Sequence, residues 1–242
     1  MNTAPLLEVS GLTRRYGGLV AVDDVGFDLP AGGITALVGP NGAGKTTLFG
    51  LIAGAIQPSA GRVRFAGQPI SGLPAEEICR RGIGRTFQVV RPMRDMTVLE
   101  NAMVGAFSWT RRVGEARDAA LQALELVGLA PKAAGGVDRL TLPDRKMLET
   151  ARALATRPRL LLLDEVMAGL RPSEADRVVA VLHRLVGTGL TVLLVEHVMR
   201  IVMSAASRVI VLHHGAKIAD GAPEAVVRDP AVLRSYLGVA DA

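Results

Sequence analysis

Aromatic residues, cysteines and long apolar runs are all scarce in this sequence. Aromatic side chains make up 3% of the 242 residues although hydrophobic residues reach 49%, so a core must be built mainly from aliphatic side chains, as in many α/β domains. The single cysteine, Cys79, excludes an intramolecular disulfide and is typical of a reducing cytoplasm. No apolar run approaches the roughly 18 residues of a membrane-spanning helix, and residues 1–5 lack the pattern of a signal peptide. We therefore expect a cytoplasmic chain with one large domain.

The positive charge of the chain is thinly spread. The formal net charge is +5, and paired arginines such as Arg14-Arg15, Arg80-Arg81 and Arg111-Arg112 have no interleaved aromatic residues. This pattern is typical of solvated surface, and we expect no nucleic-acid partner. The mean hydropathy of +0.32 is high for a soluble chain, so part of the apolar surface is predicted to contact another protein.

A glycine-rich loop between a predicted strand and a predicted helix organises the chain. Residues 39–47 fit the pattern G-x-x-x-x-G-K-[ST], with the apolar run Ile34–Val38 before them and a short helical pattern over 47–54. Glycines let successive backbone N–H groups turn toward a phosphate, and the helix N-terminus adds its positive end. Lys45 can reach the β- and γ-phosphates, and the Thr46 hydroxyl can bind Mg²⁺. The sequence predicts a nucleoside triphosphate site at nine residues: Gly39, Pro40, Asn41, Gly42, Ala43, Gly44, Lys45, Thr46 and Thr47.

Strand and helix patterns alternate along most of the chain. Apolar runs over 160–164, 190–195 and 208–212 predict buried strands, and the helical patterns between them predict a doubly wound parallel sheet with ligands at its carboxyl edge. Residues 6–9, 25–29 and 62–65 are instead predicted as edge strands of an antiparallel piece. A helix over 173–186 is predicted to begin with a Ser173/Asp176 capping box.

One segment departs from this alternation and is predicted to be mainly helical. Residues 98–107 and 115–127 are rich in helix formers, and glycine and proline follow at positions 128 and 131. We predict a single domain over 1–242, with a core over 1–88 and 153–242 and a helical subdomain over 89–152.

Several side chains outside the loop are candidates for chemistry. Asp164 and Glu165 follow a strand of four leucines, where an acid needs a companion such as Mg²⁺, and Glu165 is placed to polarise an attacking water. His197 follows the next predicted strand and can contact the γ-phosphate that this water attacks. Tyr16 precedes Gly17-Gly18 and can stack on an adenine ring.

These residues, in this order, resemble the nucleotide-binding subunits of ABC transporters over nearly the whole chain. The resemblance implies a P-loop NTPase fold with a RecA-like core, an N-terminal antiparallel β subdomain and a helical subdomain. It implies ATP and Mg²⁺ as cofactors, and residues 168–171 as the loop that crosses a dimer interface. The roles that it implies are catalytic for Glu165, His197 and Gln88, metal-binding for Thr46, Gln88 and Asp164, and adenine-stacking for Tyr16.

More narrowly, the chain resembles the ATPases of branched-chain amino acid importers. The segments that carry this resemblance are 84–88, 96–101, 195–197, 221–224 and 230–238. Importers of urea and amides share the subfamily, so the sequence leaves that alternative open.

The chain departs from the family at its signature, Leu-Ser-Gly-Gly-Gln, where residues 140–144 read Leu-Thr-Leu-Pro-Asp. We call these residues the signature turn. In the family this turn donates backbone N–H groups to the γ-phosphate bound by the opposite subunit. Thr141 keeps a hydroxyl and, with Asp144, a plausible helix cap. Leu142 adds bulk, Pro143 removes a donor and Asp144 adds a negative charge.

The resemblance implies an ATPase subunit that energises solute import at the cytoplasmic face of the inner membrane. Its expected partners are a second ABC ATPase subunit, the transmembrane permease and, indirectly, a periplasmic solute-binding protein. Because of Pro143, the two ATPase subunits are expected to form a heterodimer. Two alternatives remain at this point. One is an ATP-binding partner that hydrolyses little, and the other is a soluble ABC-type ATPase acting on ribosomes or nucleic acid.

Overall fold

The computed structural model describes residues 4–86 and 92–237. The strands in these ranges are β1 Leu7–Tyr16, β2 Leu19–Leu29, β3 Ile34–Val38, β4 Ala60–Phe65, β5 Gln68–Pro69, β6 Ile83–Arg85, β7 Leu160–Asp164, β8 Thr191–Val195, β9 Arg208–His213 and β10 Ala216–Gly221. The helices are α1 Lys45–Ile52, α2 Ala75–Arg80, α3 Val98–Ala106, α4 Val113–Leu126, α5 Leu142–Leu154, α6 Pro172–Gly187, α7 Met199–Ala205, α8 Pro223–Val226 and α9 Pro230–Leu237.

The chain divides into two compact units. Unit 1 comprises Met1–Ile78 and Leu193–Ala242, and unit 2 comprises Cys79–Val192. The chain passes from one to the other at the end of α2 and again within β8. The predicted boundaries of core and helical subdomain at residues 88 and 153 stay a prediction.

Unit 1 contains the antiparallel sheet, in the order β2-β1-β4-β5. Strand β1 pairs with β2 through Leu7 and Leu29, and with β4 through Leu7 and Phe65. The prediction that 6–9 and 62–65 form edge strands was therefore wrong, because β1 and β4 both have a neighbour on each side. The chain turns between β1 and β2 at Gly17-Gly18, where two consecutive glycines indicate a turn.

Unit 1 also contains the neighbouring strands β10, β9 and β3 of the second sheet, and residues 193–195 of β8. Strands β3 and β9 are parallel, and β9 pairs antiparallel with β10 in a hairpin across Gly215. Every residue of β3 is buried, in keeping with its unbroken apolar sequence.

Unit 2 combines the parallel pair β6 and β7 with four longer helices. Helices α3, α4 and α5 pack against one another, which confirms the helical prediction for 98–107 and 115–127. Helix α3 crosses α5 closely, since a Cβ at Gly105 would overlap the carbonyl oxygen of Arg152.

Helix starts follow their caps. Helix α5 begins at Leu142 with Thr141 as N-cap, and Thr141 and Asp144 form the predicted cap. The predicted Ser173/Asp176 box was wrong. Pro172 occupies the first position of α6, so Arg171 is the N-cap and donates its backbone N–H to the Glu174 carboxylate. Within the described ranges, none of the helices combines the length and apolarity needed to cross a membrane.

Candidate functional site

The glycine-rich segment 39–47 joins β3 to α1 in unit 1, as predicted. Close packing explains its first glycine and its last, since a Cβ at Gly39 would overlap the carbonyl oxygen of Leu212 and one at Gly44 that of Ala21. Gly44 also has a φ of 100°, which glycine adopts without strain. The N–H of Gly215 donates to the Ala43 carbonyl at 3.1 Å, so the β9–β10 turn supports the loop from behind.

The polar side chains of this segment differ in exposure. Lys45 is 7% exposed, and its Nζ donates to the carbonyl oxygens of Gly39 at 2.7 Å and Pro40 at 2.9 Å. The ammonium group is thus held on the loop whose backbone N–H groups are expected to face a phosphate. Thr46 is exposed, in the first turn of α1. The arrangement offers a cation and a hydroxyl at one helix N-terminus, which suits an anionic ligand.

Tyr16 ends β1 in the same unit and is 44% exposed. The Arg14 guanidinium lies over its ring, with 4.4 Å between the guanidinium carbon and the ring centroid. Arg14 is fixed in turn by a hydrogen bond from its Nη1 to the Gln57 carbonyl. Arg14 therefore covers one face of the ring.

His197 also belongs to unit 1. It is exposed and follows Glu196, which is completely buried, directly after β8. Gln88 lies outside the described residues.

Asp164 and Glu165, which we call the acid pair, belong to unit 2 at the end of β7. The Asp164 side chain is 1% exposed, and its Oδ2 lies 3.7 Å from Nη2 of Arg85. Burial lowers the pKa of Arg85, while the charge of Asp164 works in the opposite direction. The Asp164 N–H donates to Thr86 Oγ1 at 3.3 Å, so Thr86 holds the backbone of this acid while Arg85, the last residue of β6, lies beside its charge.

Glu165 has an unusual backbone. Its φ of 49° lies in the left-handed region, which a glutamate rarely adopts. Its carbonyl oxygen accepts hydrogen bonds from Lys146 Nζ and from the Ala168 N–H, both at 3.1 Å. Sequence reasoning missed Lys146 and Arg85, because a basic residue in a helix or at the end of a short strand does not reveal a partner that is distant in the sequence.

The signature turn is closed by its own hydrogen bonds. The Thr141 N–H and hydroxyl both donate to Asp144 Oδ2, at 3.1 and 2.8 Å, and the Asp144 N–H donates to Thr141 Oγ1 at 3.4 Å. Lys132 Nζ lies 2.5 Å from the same carboxylate oxygen. Partial burial works to raise the pKa of Asp144, but the hydrogen bonds from Lys132 and Thr141 outweigh it and hold that pKa below its usual value.

The comparisons with protein families agree with the predicted resemblance. The family described as "ABC transporter" matches residues 22–168, and "Branched-chain amino acid ATP-binding cassette transporter" matches residues 216–242.

Two relatives match over almost their whole length. The high-affinity branched-chain amino acid transport ATP-binding protein BraF of Pseudomonas aeruginosa is 42% identical, over 98% of this chain and 99% of its own. The protein of the same description, LivG, of Escherichia coli K12 is 41% identical over the same shares.

Among solved structures, the ADP conformation of MJ1267, an ATP-binding cassette of an ABC transporter, superposes with a TM-score of 0.89. It is 30% identical and covers 98% of this chain and 100% of its own. A nucleotide-free ATP-binding cassette, also 30% identical, gives a TM-score of 0.88 over 96% and 98%.

These matches confirm the predicted P-loop NTPase fold, the nucleotide-binding activity and the assignment as an ATPase coupled to transport. The chain belongs to the ABC transporter family as an ATP-hydrolysing subunit, and its C-terminal segment is that of the branched-chain amino acid cassettes.

Proposed function

We propose that this chain hydrolyses ATP to energise the import of branched-chain amino acids, as a peripheral subunit on the cytoplasmic face of the inner membrane. The observation that carries the proposal is the 41–42% identity, over 98% of the chain, to proteins whose names give that transport. Importers of urea or amides are the alternative within the same subfamily.

Segment 39–47 binds the triphosphate in this proposal. Its backbone N–H groups and the N-terminus of α1 provide donors, and Lys45 exchanges its loop carbonyls for phosphate oxygens. The adenine stacks on the face of Tyr16 that Arg14 leaves open. The support of Gly215 behind the loop keeps these donors in place before ATP arrives.

Mg²⁺ suits the oxygen donors that the chain offers. By the family resemblance we assign Thr46, Asp164 and Gln88 as the residues that would hold the ion. Thr46 offers an exposed hydroxyl and Asp164 a buried carboxylate. Within the described residues, no group of three His, Cys, Asp or Glu side chains could hold a metal. When bound, the ion neutralises charge on the phosphate oxygens.

Glu165 is the proposed general base and takes a proton from the attacking water. Because its backbone conformation is fixed by two hydrogen bonds to its carbonyl oxygen, its carboxylate starts from a defined position. His197, exposed after β8, is proposed to contact the γ-phosphate. Its neighbour Glu196 is completely buried.

We further propose that the site is completed by a different subunit. Most hydrogen-bond donors of the signature turn already have acceptors within the turn. The Thr141 N–H and hydroxyl both donate to the Asp144 carboxylate, and Pro143 has no N–H. The Leu142 N–H remains for a phosphate. Lys132 offsets the charge of Asp144, so the loss of donors rather than repulsion is the main defect. A partner with an intact signature would therefore complete the nucleotide site that this chain builds from segment 39–47, Asp164 and Glu165.

The proposed contacts to other proteins follow the same organisation. The permease contacts Gln88 and the residues after it up to Met96, and a periplasmic solute-binding protein selects the solute. The helical subdomain over 89–152 and the core over 1–88 and 153–242 remain the proposed functional division. Asn101 anchors the end of the permease-contacting segment, because its buried amide accepts from the Met93 N–H and donates to the carbonyls of Met93, Met96 and Thr97.

Glu165→Gln tests the proposal. Loss of the base should lower ATPase activity by roughly 10²- to 10⁴-fold while nucleotide binding remains. Cells lacking this chain should regain leucine, isoleucine and valine uptake with the wild-type chain and not with the variant. Full uptake with Glu165→Gln would exclude Glu165 as the base, and recovery of urea or amide uptake alone would select the alternative substrate.

A second candidate is an ATP-binding partner that hydrolyses little. The closed signature turn acts on the nucleotide of the opposite subunit, so it does not by itself weaken hydrolysis on this chain. This second candidate predicts that transport survives Glu165→Gln and fails when the ATPase of the other subunit is disabled. Glu165→Gln in this chain and an ATPase-disabling change in the other subunit therefore separate the two candidate functions.

A further inference from the structure

One face of helix α5 contacts the segment that begins at Glu165. Lys146 is 8% exposed, and its Nζ donates to the Glu165 carbonyl at 3.1 Å. One turn earlier, Leu142 Cδ2 lies 3.6 Å from the position that a Cβ on Gly169 would occupy. Residues four apart share a helix face, so both contacts come from the same side of α5. All four residues belong to unit 2.

The backbone at Glu165 depends on outside support. A residue other than glycine in the left-handed region is strained and persists where its surroundings fix it. The Ala168 N–H and Lys146 Nζ supply that support at the carbonyl of Glu165. The preceding peptide is held from the other side, where Thr86 Oγ1 accepts the Asp164 N–H. Lys146 thus contributes the charged donor that fixes the peptide following the base.

Stability alone is a poor explanation for a lysine at this position. Burying an ammonium group is unfavourable, and an apolar side chain of similar size often stabilises such a site better. Lys146 forms no ion pair with a carboxylate in the part of the chain that the structure describes. Its acceptor is instead the neutral backbone carbonyl of Glu165, the proposed base.

We propose that Lys146 is a positioning residue for ATP hydrolysis. It fixes the Glu165 peptide, and so aims the carboxylate at the attacking water. It also joins the signature turn to the catalytic acid of the same subunit, because it lies one turn beyond Leu142 on α5. Movement of the signature turn at one nucleotide site is thereby passed to the base at the other. The inference rests on the proposed role of Glu165 as that base.

Two substitutions at this position test the inference in the full-length chain, co-purified with its partner subunit. Lys146→Met removes the donor while keeping length and helix propensity, and Lys146→Arg retains a charged donor. Because a small misplacement of a reacting group is costly, Lys146→Met should lower kcat by roughly 10- to 100-fold. The KM for ATP should stay within about two-fold, since binding is not disturbed. Lys146→Arg should recover most of the activity.

Lys217→Met is the matched control. It also removes a lysine hydrogen bond, here to Asp220 in unit 1, and should leave kcat unchanged. A Glu165→Gln/Lys146→Met double variant should lose no more activity than Glu165→Gln alone, because both changes act on one group. If Lys146→Met does not fold, Lys146→Leu, which also lacks a donor, replaces it with the same expectation.

The possible outcomes separate the inference from the function on which it rests. A folded Lys146→Met variant with wild-type kcat, beside an inactive Glu165→Gln, would overturn the inference alone. So would a loss in kcat that Lys146→Arg does not recover and that parallels a fall in melting temperature. An active Glu165→Gln would overturn the proposed base and the role of Lys146 together.

Discussion

Replacing Pro143 should restore a phosphate donor to the signature turn at little cost in stability. Pro143 is the second residue of α5, where a backbone N–H has no acceptor within the helix. Its replacement therefore breaks no intrahelical hydrogen bond, and the greater freedom of the unfolded chain costs about 0.4 to 1 kcal/mol. The new N–H would join that of Leu142, which doubles the backbone donors left in the turn. One such donor contributes about 2.7 to 4 kcal/mol in an oxyanion hole, or roughly 10²- to 10³-fold in rate.

The assay isolates the nucleotide site that this turn completes. With Glu165→Gln in this chain, the residual ATPase activity of the purified complex comes from the partner's own nucleotide site. Adding Pro143→Gly or Pro143→Ala should raise that activity by at least about 10-fold, which is less than in an enclosed oxyanion hole because this turn faces solvent. A rise with Pro143→Ala excludes the flexibility of glycine as the cause, since alanine restores the N–H without that flexibility. If both variants fold and neither raises the activity, the missing donor is not the defect. Complete loss of activity in the Glu165→Gln background would indicate two copies of this chain instead of a heteromer.

Two further predictions concern the loop and the signature turn. Gly44→Ala should greatly weaken ATP binding in equilibrium titrations, because its Cβ would overlap the Ala21 carbonyl, whereas Gly42→Ala has open space and should show only the strain of its φ of 80°. Equal effects of the two changes would contradict the packing argument. Asp144 has a lower pKa in the folded chain, so its stabilising effect is present above its unfolded pKa of about 3.9 and is lost as the pH falls through its folded pKa. The difference in melting temperature between wild type and Lys132→Met should therefore shrink on acidification from about pH 6 to below pH 3, and a constant difference would contradict this account.

Local sequence patterns predicted the elements whose signals are local. The apolar runs of β3 and β7, the glycine loop and the Thr141/Asp144 cap are each contained within a few neighbouring residues. The error at α6 was also local, because Pro172 at the first helical position points to Arg171 and Glu174 as the capping pair.

The remaining features depend on contacts between distant parts of the chain. Strand β1 is central because β4 returns to pair with it, and nothing in residues 6–9 indicates that partner. The contacts that fix the acid pair join residues 19 positions apart, for Lys146 and Glu165, and 78 positions apart, for Thr86 and Asp164. The sequence predicted which acids to examine, whereas the fold shows which side chains hold their backbones.

The position of Leu142 near Gly169 ties the shape of the signature turn to the loop after Glu165. Leu142→Gly would make room for a phosphate in the signature turn, but it would also remove the side chain that lies over Gly169. The hydrogen bond from Lys146 to the Glu165 carbonyl would remain. A change made to open the signature turn therefore also alters the packing beside the proposed base of the same subunit.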